Sequence, residues 1–119
     1  MHREYQFYIY IVANYPRTVF YVGVCNNLIR RTIEHTYGFG SVFTKKYHLK
    51  HLVYYEVFQY INTAIEREKE IKKWRREKKL TLIKSTNPDM HDFSKEKLAH
   101  IDKNELQEII NDLKWQYKT

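Results

Sequence analysis

Two tyrosines of this sequence stand where their phenols could act together on one substrate. Tyr10 and Tyr21 lie eleven residues apart, in two runs rich in aromatic and β-branched residues on either side of a short turn segment. Such runs predict an antiparallel hairpin, in which cross-strand neighbours are about 5 Å apart. A tyrosine can act as a general base where a neighbouring cation lowers its pKa from about 10. With eleven tyrosines in the chain, packing in the core is the alternative role for each.

A second pair of reactive side chains follows on the next predicted element. Arg31 and His35 are four residues apart and therefore share one face of a helix. Arginine offers a planar fork for a phosphate, and histidine exchanges protons near neutral pH. The alternative is an exposed basic face. Arg30 points elsewhere on the helix and is a candidate for attraction to a phosphate backbone.

Glu68 is a carboxylate on an otherwise apolar stripe. Ile61, Ala64 and Ile71 recur with it at helical spacing. A carboxylate among apolar residues is costly unless it is paired or coordinates a cation. A lone glutamate suits Mg²⁺, or Mn²⁺ in its place, because Mg²⁺ takes one or two carboxylates and otherwise keeps waters and phosphate oxygens. A buried ion pair with Arg31 is the alternative.

The positive charge is concentrated in the first two thirds of the chain. The net charge is +7 over 119 residues, and residues 61–84 carry nine Lys or Arg against four acids. Such asymmetry favours a polyanion as partner, with DNA first and an anionic membrane second. A solvated, charge-laced helix is the alternative. The residues we expect to contact nucleic acid are Arg30, Lys45, Lys46, Lys72, Lys73, Arg75 and Arg76.

The length and composition are those of one small domain without a membrane span. No apolar run approaches the roughly 18 residues that a membrane helix needs, and no signal peptide is recognisable. The single cysteine, Cys25, excludes an internal disulfide, so we expect a reducing, cytoplasmic location.

The hydrophobic pattern predicts the order β-β-α-β-α-α, which is an α+β domain with a small three-stranded antiparallel sheet flanked by helices. Asn26 or Asn27 is the expected N-cap of the first helix, and Asn87-Pro88 ends the second. The predicted elements are strands at 5–13, 19–24 and 52–58, and helices at about 27–35, 63–79 (or as far as 84) and 103–115.

These residues stand in the order of a known signature. Tyr8-Ile9-Tyr10 and Tyr21-Val22-Gly23 resemble the paired motif of GIY-YIG endonucleases, and Arg31, His35 and Glu68 follow in that family's order. Over about residues 5–93 the sequence is similar to the small stand-alone bacterial branch. That likeness is carried by Gly40–Tyr47, Leu52–Glu56, Ala64–Trp74 and Asn87-Pro88.

Two positions depart from the family pattern. Tyr8 replaces the first glycine of the signature, which leaves Tyr10 in place, and Cys25 stands where the branch often has threonine. We assign Cys25 no catalytic role.

The resemblance implies a Mg²⁺-dependent endonuclease that hydrolyses phosphodiester bonds of DNA, in repair or recombination. In such an enzyme Tyr10 takes a proton from the attacking water, and Arg31 stabilises the charge that develops on the phosphorane. Glu68 holds the metal ion, while Tyr21 and His35 orient phosphate and water. The alternative, from another functional class, is a nucleic-acid-binding module that keeps the fold without catalysis; the basic block at 61–84 favours it.

The last helix lies outside the resemblance. We expect a nuclease-like domain at 1–93 and an amphipathic helical extension at 94–119. The apolar stripe of the extension consists of Leu106, Ile109, Ile110, Leu113 and Trp115. Such a stripe must be buried, either on this domain or on a second copy or another protein. Because the segment is acidic, we expect it on the side away from Arg31 and Glu68.

Overall fold

A three-stranded antiparallel sheet forms the centre of the computed structural model, which describes residues 6–117. The strands are β1 (Phe7–Ala13), β2 (Phe20–Cys25) and β3 (His51–Phe58), in the order β2-β1-β3. The predicted hairpin is confirmed. Its turn is closed by Asn14, whose Oδ1 accepts hydrogen bonds from the backbone N–H groups of Thr18 (2.8 Å) and Val19 (3.1 Å). Such side-chain acceptors are why asparagine favours turns.

Six helices surround this sheet in the described part of the chain, and the α+β class is confirmed. They are α1 (Leu28–Thr36), α2 (Val42–Lys46), α3 (Ile61–Lys73), α4 (Arg76–Thr86), α5 (Ser94–Leu98) and α6 (Lys103–Gln116). Asn27 is the N-cap of α1, since its side chain accepts from the N–H of Arg30 at 3.0 Å. The five-residue helices α2 and α5 were not predicted, because so few residues show no helical period.

The single long helix predicted from Asn62 onward is wrong. The chain is extended at Trp74 and Arg75, where ψ is 149° and 159°, and two helices result. The break redirects α4 so that Ile83 reaches the core and is fully buried. No glycine or proline marks the break in the sequence. The turn after α4 is fixed by Asn87, whose Nδ2 donates to the carbonyl of Val53 on β3 at 3.0 Å.

The sheet is covered on both faces, which explains why the central strand β1 is apolar along its whole length. Ile9 and Ile11 pack into one cluster with Ala64 and Ile71 of α3 and with residues of α4. Tyr10 faces the opposite side and packs into a second cluster with Leu28 of α1. Strand β2 lies at an edge, and this edge is where the candidate site lies.

The C-terminal helix packs on this chain through part of its predicted apolar stripe, whereas Trp115 at the end of that stripe is 77% exposed. Leu113 is fully buried, and α6 lies against α1. At the end of α6 the ring of Tyr117 lies 6.0 Å from that of Phe39. The expectation that this segment lies away from Arg31 is wrong at its end. Tyr117 lies close enough to Arg31 to interact with it electrostatically, because α6 packs against the helix that carries this arginine.

Replacing Leu113 with alanine should therefore cost the whole domain about 2–5 kcal/mol of unfolding free energy, the usual effect of a cavity in a packed core. Urea denaturation of the full chain measures it. Lys114→Ala is the control, because this neighbouring side chain is exposed and its loss should change stability by less than about 0.5 kcal/mol. Equal stability of both variants would show that α6 does not contribute to the core.

Candidate active site

Tyr10 is buried at the centre of the site and is held there by a glycine. Tyr10 on β1 pairs with Gly23 on β2, and a Cβ at position 23 would lie 2.4 Å from the tyrosine hydroxyl oxygen. Any other residue would displace the ring, so this mid-strand glycine has a packing role. Burial raises the pKa of Tyr10 well above its usual value, although Arg31 nearby acts in the opposite direction. The phenol is therefore protonated at neutral pH.

His35 is the hydrogen-bonding neighbour of this phenol. Its Nε2 lies 3.3 Å from the hydroxyl oxygen of Tyr10, and the two rings are 5.4 Å apart. Burial, followed by the charge of Arg31, lowers the pKa of His35 to about 4. The imidazole is therefore neutral at physiological pH and has one lone pair free to accept a proton.

Tyr21 approaches Tyr10 diagonally rather than from directly opposite. The residue paired with Tyr21 is Val12, so the two tyrosines are offset along the hairpin. Their ring centroids are 6.4 Å apart, and Tyr21 lies equally far from the His35 ring. The predicted convergence is therefore confirmed for the rings, while the expected direct cross-strand pairing is wrong because it ignored the register.

Arg31 lies beside the same group and is already paired. Its Nη1 is 3.2 Å from Oε2 of Glu34, a carboxylate that is nearly buried while the arginine side chain is 39% exposed. Burial alone would lower the pKa of Arg31, but Tyr10 and Glu34 outweigh it and raise the pKa. Arg31 thus presents a permanent charge at the edge of the site. Glu34 was not among the predicted site residues, although its i,i+3 spacing from Arg31 indicates an ion pair on one helix face.

Glu68 is on the other side of Tyr21, on α3. Its Oε1 is 3.0 Å from Nζ of Lys72, and that ammonium lies 5.6 Å from the centre of the Tyr21 ring. The alternative ion pair between Glu68 and Arg31 is not formed, since each has its own partner. Residues 6–117 contain no cluster of three or more His, Cys, Asp or Glu that could hold a metal by themselves. In this part of the chain Glu68 is thus a carboxylate without a cluster of other metal-binding side chains around it.

The residues predicted to contact nucleic acid occupy different places. Lys45 lines a surface depression beside His35, and Lys72 forms an ion pair with Glu68. Lys73 and Arg75 are exposed at the break between α3 and α4. Arg76 instead holds the hairpin turn, because its guanidinium donates to the carbonyls of Arg17 and Thr18.

The two remaining candidates have neighbours of their own. Arg30 turns toward the C-terminal helix, where its Nη2 is 3.4 Å from Oε1 of Gln116. Lys46 lies over the ring of Tyr47, at 5.4 Å from its centre.

The comparison with known protein families identifies this chain as a nuclease-type domain. The GIY-YIG catalytic domain matches residues 6–81, and the chain belongs to the GIY-YIG family.

Its relatives include small bacterial proteins. The chain is 41% identical over 76 residues to a UPF0213 protein of Staphylococcus saprophyticus, covering 64% of this chain and 92% of the relative. It is 38% identical over 77 residues to a UPF0213 protein of Staphylococcus aureus, covering 65% and 93%. The solution NMR structure of a UPF0213 protein from Bacillus halodurans is 26% identical, with a TM-score of 0.49, and covers 76% of this chain and 95% of that one. These names specify no reaction.

The low pKa of His35 makes stability depend on pH. The unfolded histidine has a pKa of about 6.5, so between there and about 4 the unfolded chain binds the extra proton. The stability that depends on a neutral His35 is fully present above pH 6.5. As the pH falls to 4, the free energy of unfolding decreases by about 3 kcal/mol. Denaturation at several pH values should show this loss, and His35→Gln should reduce it.

His100→Gln is the matched control, because His100 is exposed. That variant should keep the pH dependence of the unmodified protein. If His35→Gln also keeps it, His35 is not the buried neutral histidine described above.

Proposed function

We propose that this protein is a metal-dependent DNA endonuclease that hydrolyses phosphodiester bonds in repair or recombination. One observation carries the proposal: the Tyr10 hydroxyl, a neutral His35 and the charged Arg31 adjoin one another in a chain of the GIY-YIG family. Hydrolysis builds negative charge on the phosphate and requires removal of a proton from water. These groups meet both needs.

Arg31 provides the charge for the phosphate. Its fork can donate to two phosphate oxygens at once, and its half-buried position beside Tyr10 strengthens that attraction relative to water. The partner Glu34 fixes the orientation of the guanidinium beforehand, so that little reorganisation is required when the substrate binds.

The proton passes through Tyr10 and His35. Because burial keeps Tyr10 protonated, it cannot act as a preformed phenolate base. The neutral Nε2 of His35, 3.3 Å away, accepts the phenolic proton while the tyrosine oxygen takes one from the attacking water. This transfer takes the place of the lowered tyrosine pKa that the sequence had suggested.

Glu68 is the carboxylate at which Mg²⁺ or Mn²⁺ fits. One carboxylate with waters and phosphate oxygens is an ordinary donor set for Mg²⁺, so the ion would be shared between Glu68 and the substrate. When bound, it supplies Lewis-acid stabilisation of the phosphate charge. A bound ion would replace Lys72 as the partner of Glu68, and Lys72 lies beside this position over the Tyr21 ring.

Variants of these residues should separate catalysis from binding. Tyr10→Phe should leave DNA affinity unchanged and slow Mg²⁺-dependent cleavage about 10²-fold or more, the usual effect of losing a proton acceptor. Glu68→Gln should remove cleavage and also weaken Mn²⁺ binding in the presence of uncleaved DNA. Single-turnover cleavage and Mn²⁺ EPR measure the two effects.

The control is Glu66→Gln, on an exposed face of the same helix, which should change neither quantity. Cleavage that survives Glu68→Gln or Arg31→Ala at the unmodified rate would refute the roles given to these residues.

DNA affinity should depend on the exposed basic residues and not on Arg76. Lys73→Ala with Arg75→Ala should make the dependence of log K on log salt shallower, by roughly 0.9 for each duplex phosphate that is no longer neutralised. Arg76→Ala should keep the slope and lower stability by about 1 kcal/mol, because the turn carbonyls lose their donor. Fluorescence anisotropy and urea denaturation give the two readouts. An unchanged slope in the double variant would mean that Lys73 and Arg75 do not contact DNA.

A nucleic-acid-binding module without catalysis is the second candidate. The ion pair between Glu68 and Lys72 favours it, since Lys72 occupies the carboxylate to which the metal is assigned. Steeply salt-dependent DNA binding with no cleavage under Mg²⁺ or Mn²⁺ would decide for this function.

A further inference from the structure

A surface depression of about 230 Å³ lies next to the candidate active site, on the far side of His35 from Tyr10. Thr44 and Lys45 of α2 form one wall, and His48 and Lys50 form another. Its volume is many times the roughly 30 Å³ that one water molecule occupies in the liquid. The depression can therefore hold a group of several atoms.

His35 presents an unused polar atom on this side. The side chain is 4% exposed, and its Nδ1 has no hydrogen-bond partner among the described residues. A Cβ at position 40 would lie 2.7 Å from this Nδ1 and 2.3 Å from Oγ1 of Thr44, so only glycine lets the backbone at the edge of the depression pack this close to both atoms. Buried polar atoms without a partner are rare in folded proteins, and this one indicates that a ligand completes the site.

The charge of the depression selects an anion. Lys45 and Lys50 are exposed at its rim together with His48, and no carboxylate is among its described lining residues. A phosphate group carries the charge and the acceptor oxygens that these donors require.

We propose that this depression binds a second phosphate of the DNA strand, adjacent to the one that is cleaved, with Nδ1–H of His35, Lys45 and Lys50 as donors. The assignment of this phosphate to a DNA strand rests on the proposed function. The anion site itself rests on the depression that His35 lines, on its positive charge and on the unpartnered Nδ1.

Binding there would prepare His35 for its part in proton transfer. An acceptor at Nδ1 fixes the tautomer in which Nδ1 carries the hydrogen, and Nε2 is then the lone pair that faces Tyr10. The negative charge also opposes burial and Arg31, which hold the pKa of His35 low. The neighbouring phosphate thus makes His35 a better acceptor for the proton of Tyr10.

The test is long-range ¹H–¹⁵N NMR of the full chain with ¹⁵N-labelled histidine, titrated first with inorganic phosphate and then with a single-stranded oligonucleotide. We expect His35 to change to the Nδ1–H tautomer in both titrations and to saturate. A response confined to exposed histidines would show an adventitious ion only and would overturn the proposal. A response of His35 to inorganic phosphate but not to the oligonucleotide would overturn the assignment to a DNA strand.

Variants test the donors. Lys45→Ala and Lys50→Ala should each weaken phosphate binding about twofold to fivefold, as expected for exposed charges. Lys84→Ala removes the same charge from the last turn of α4, on the opposite face of the sheet, and should leave binding unchanged. Equal effects of all three variants would refute the site.

A methylphosphonate substrate tests the coupling to chemistry. Neutralising the phosphate adjacent to the scissile one should lower the single-turnover rate in the unmodified protein and have less effect in the Lys45→Ala, Lys50→Ala double variant. An equal effect in both proteins would refute the coupling. The NMR signal requires no cleavage. A His35 response in a protein that cleaves no DNA would therefore contradict the endonuclease function and leave the phosphate site supported. Cleavage by a protein whose His35 signal does not respond to phosphate would contradict the second phosphate site and leave the endonuclease function supported.

Discussion

The ring of Tyr10 occupies the space that a side chain at position 23 would need, and the rest of the site depends on this packing. Gly23 lies directly opposite Tyr10 on the edge strand, so the phenol is pressed between the sheet and α1. That position buries the hydroxyl, keeps it protonated and brings it to His35. The same burial keeps the imidazole neutral. A single steric constraint thus produces an acid and a base that adjoin each other.

The surroundings complete the electrostatics of this pair. Arg31 remains charged with Glu34 as its partner, and Lys72 connects Glu68 with the Tyr21 ring from the opposite side. The C-terminal helix belongs to this assembly, because it packs on α1 and ends near Arg31. We therefore propose that residues 94–119 are a structural support of the domain at 1–93, and not an independent docking segment for a second copy or a partner protein.

Much of the fold was predictable because its signals are local. The hairpin and α1 follow from strand-forming runs, the turn residue Asn14 and the cap Asn27. The order of the site residues also lies in the sequence. The features that the sequence did not predict are those that depend on tertiary packing. The break at Trp74 has no local signal, the offset of Tyr21 depends on register, and the partners of Arg31 and Glu68 depend on which helices meet.

The most direct measurement is a crystal structure of the full chain with Mn²⁺ and a short DNA whose phosphorothioate linkage resists cleavage. Anomalous scattering should place Mn²⁺ at Glu68 and at an oxygen of the scissile phosphate, with Arg31 on the same phosphate. The hydroxyl of Tyr10 should face the water opposite the leaving oxygen. Mn²⁺ away from Glu68, or a phosphodiester that does not reach Arg31 and Tyr10, would contradict a hydrolytic role for this site.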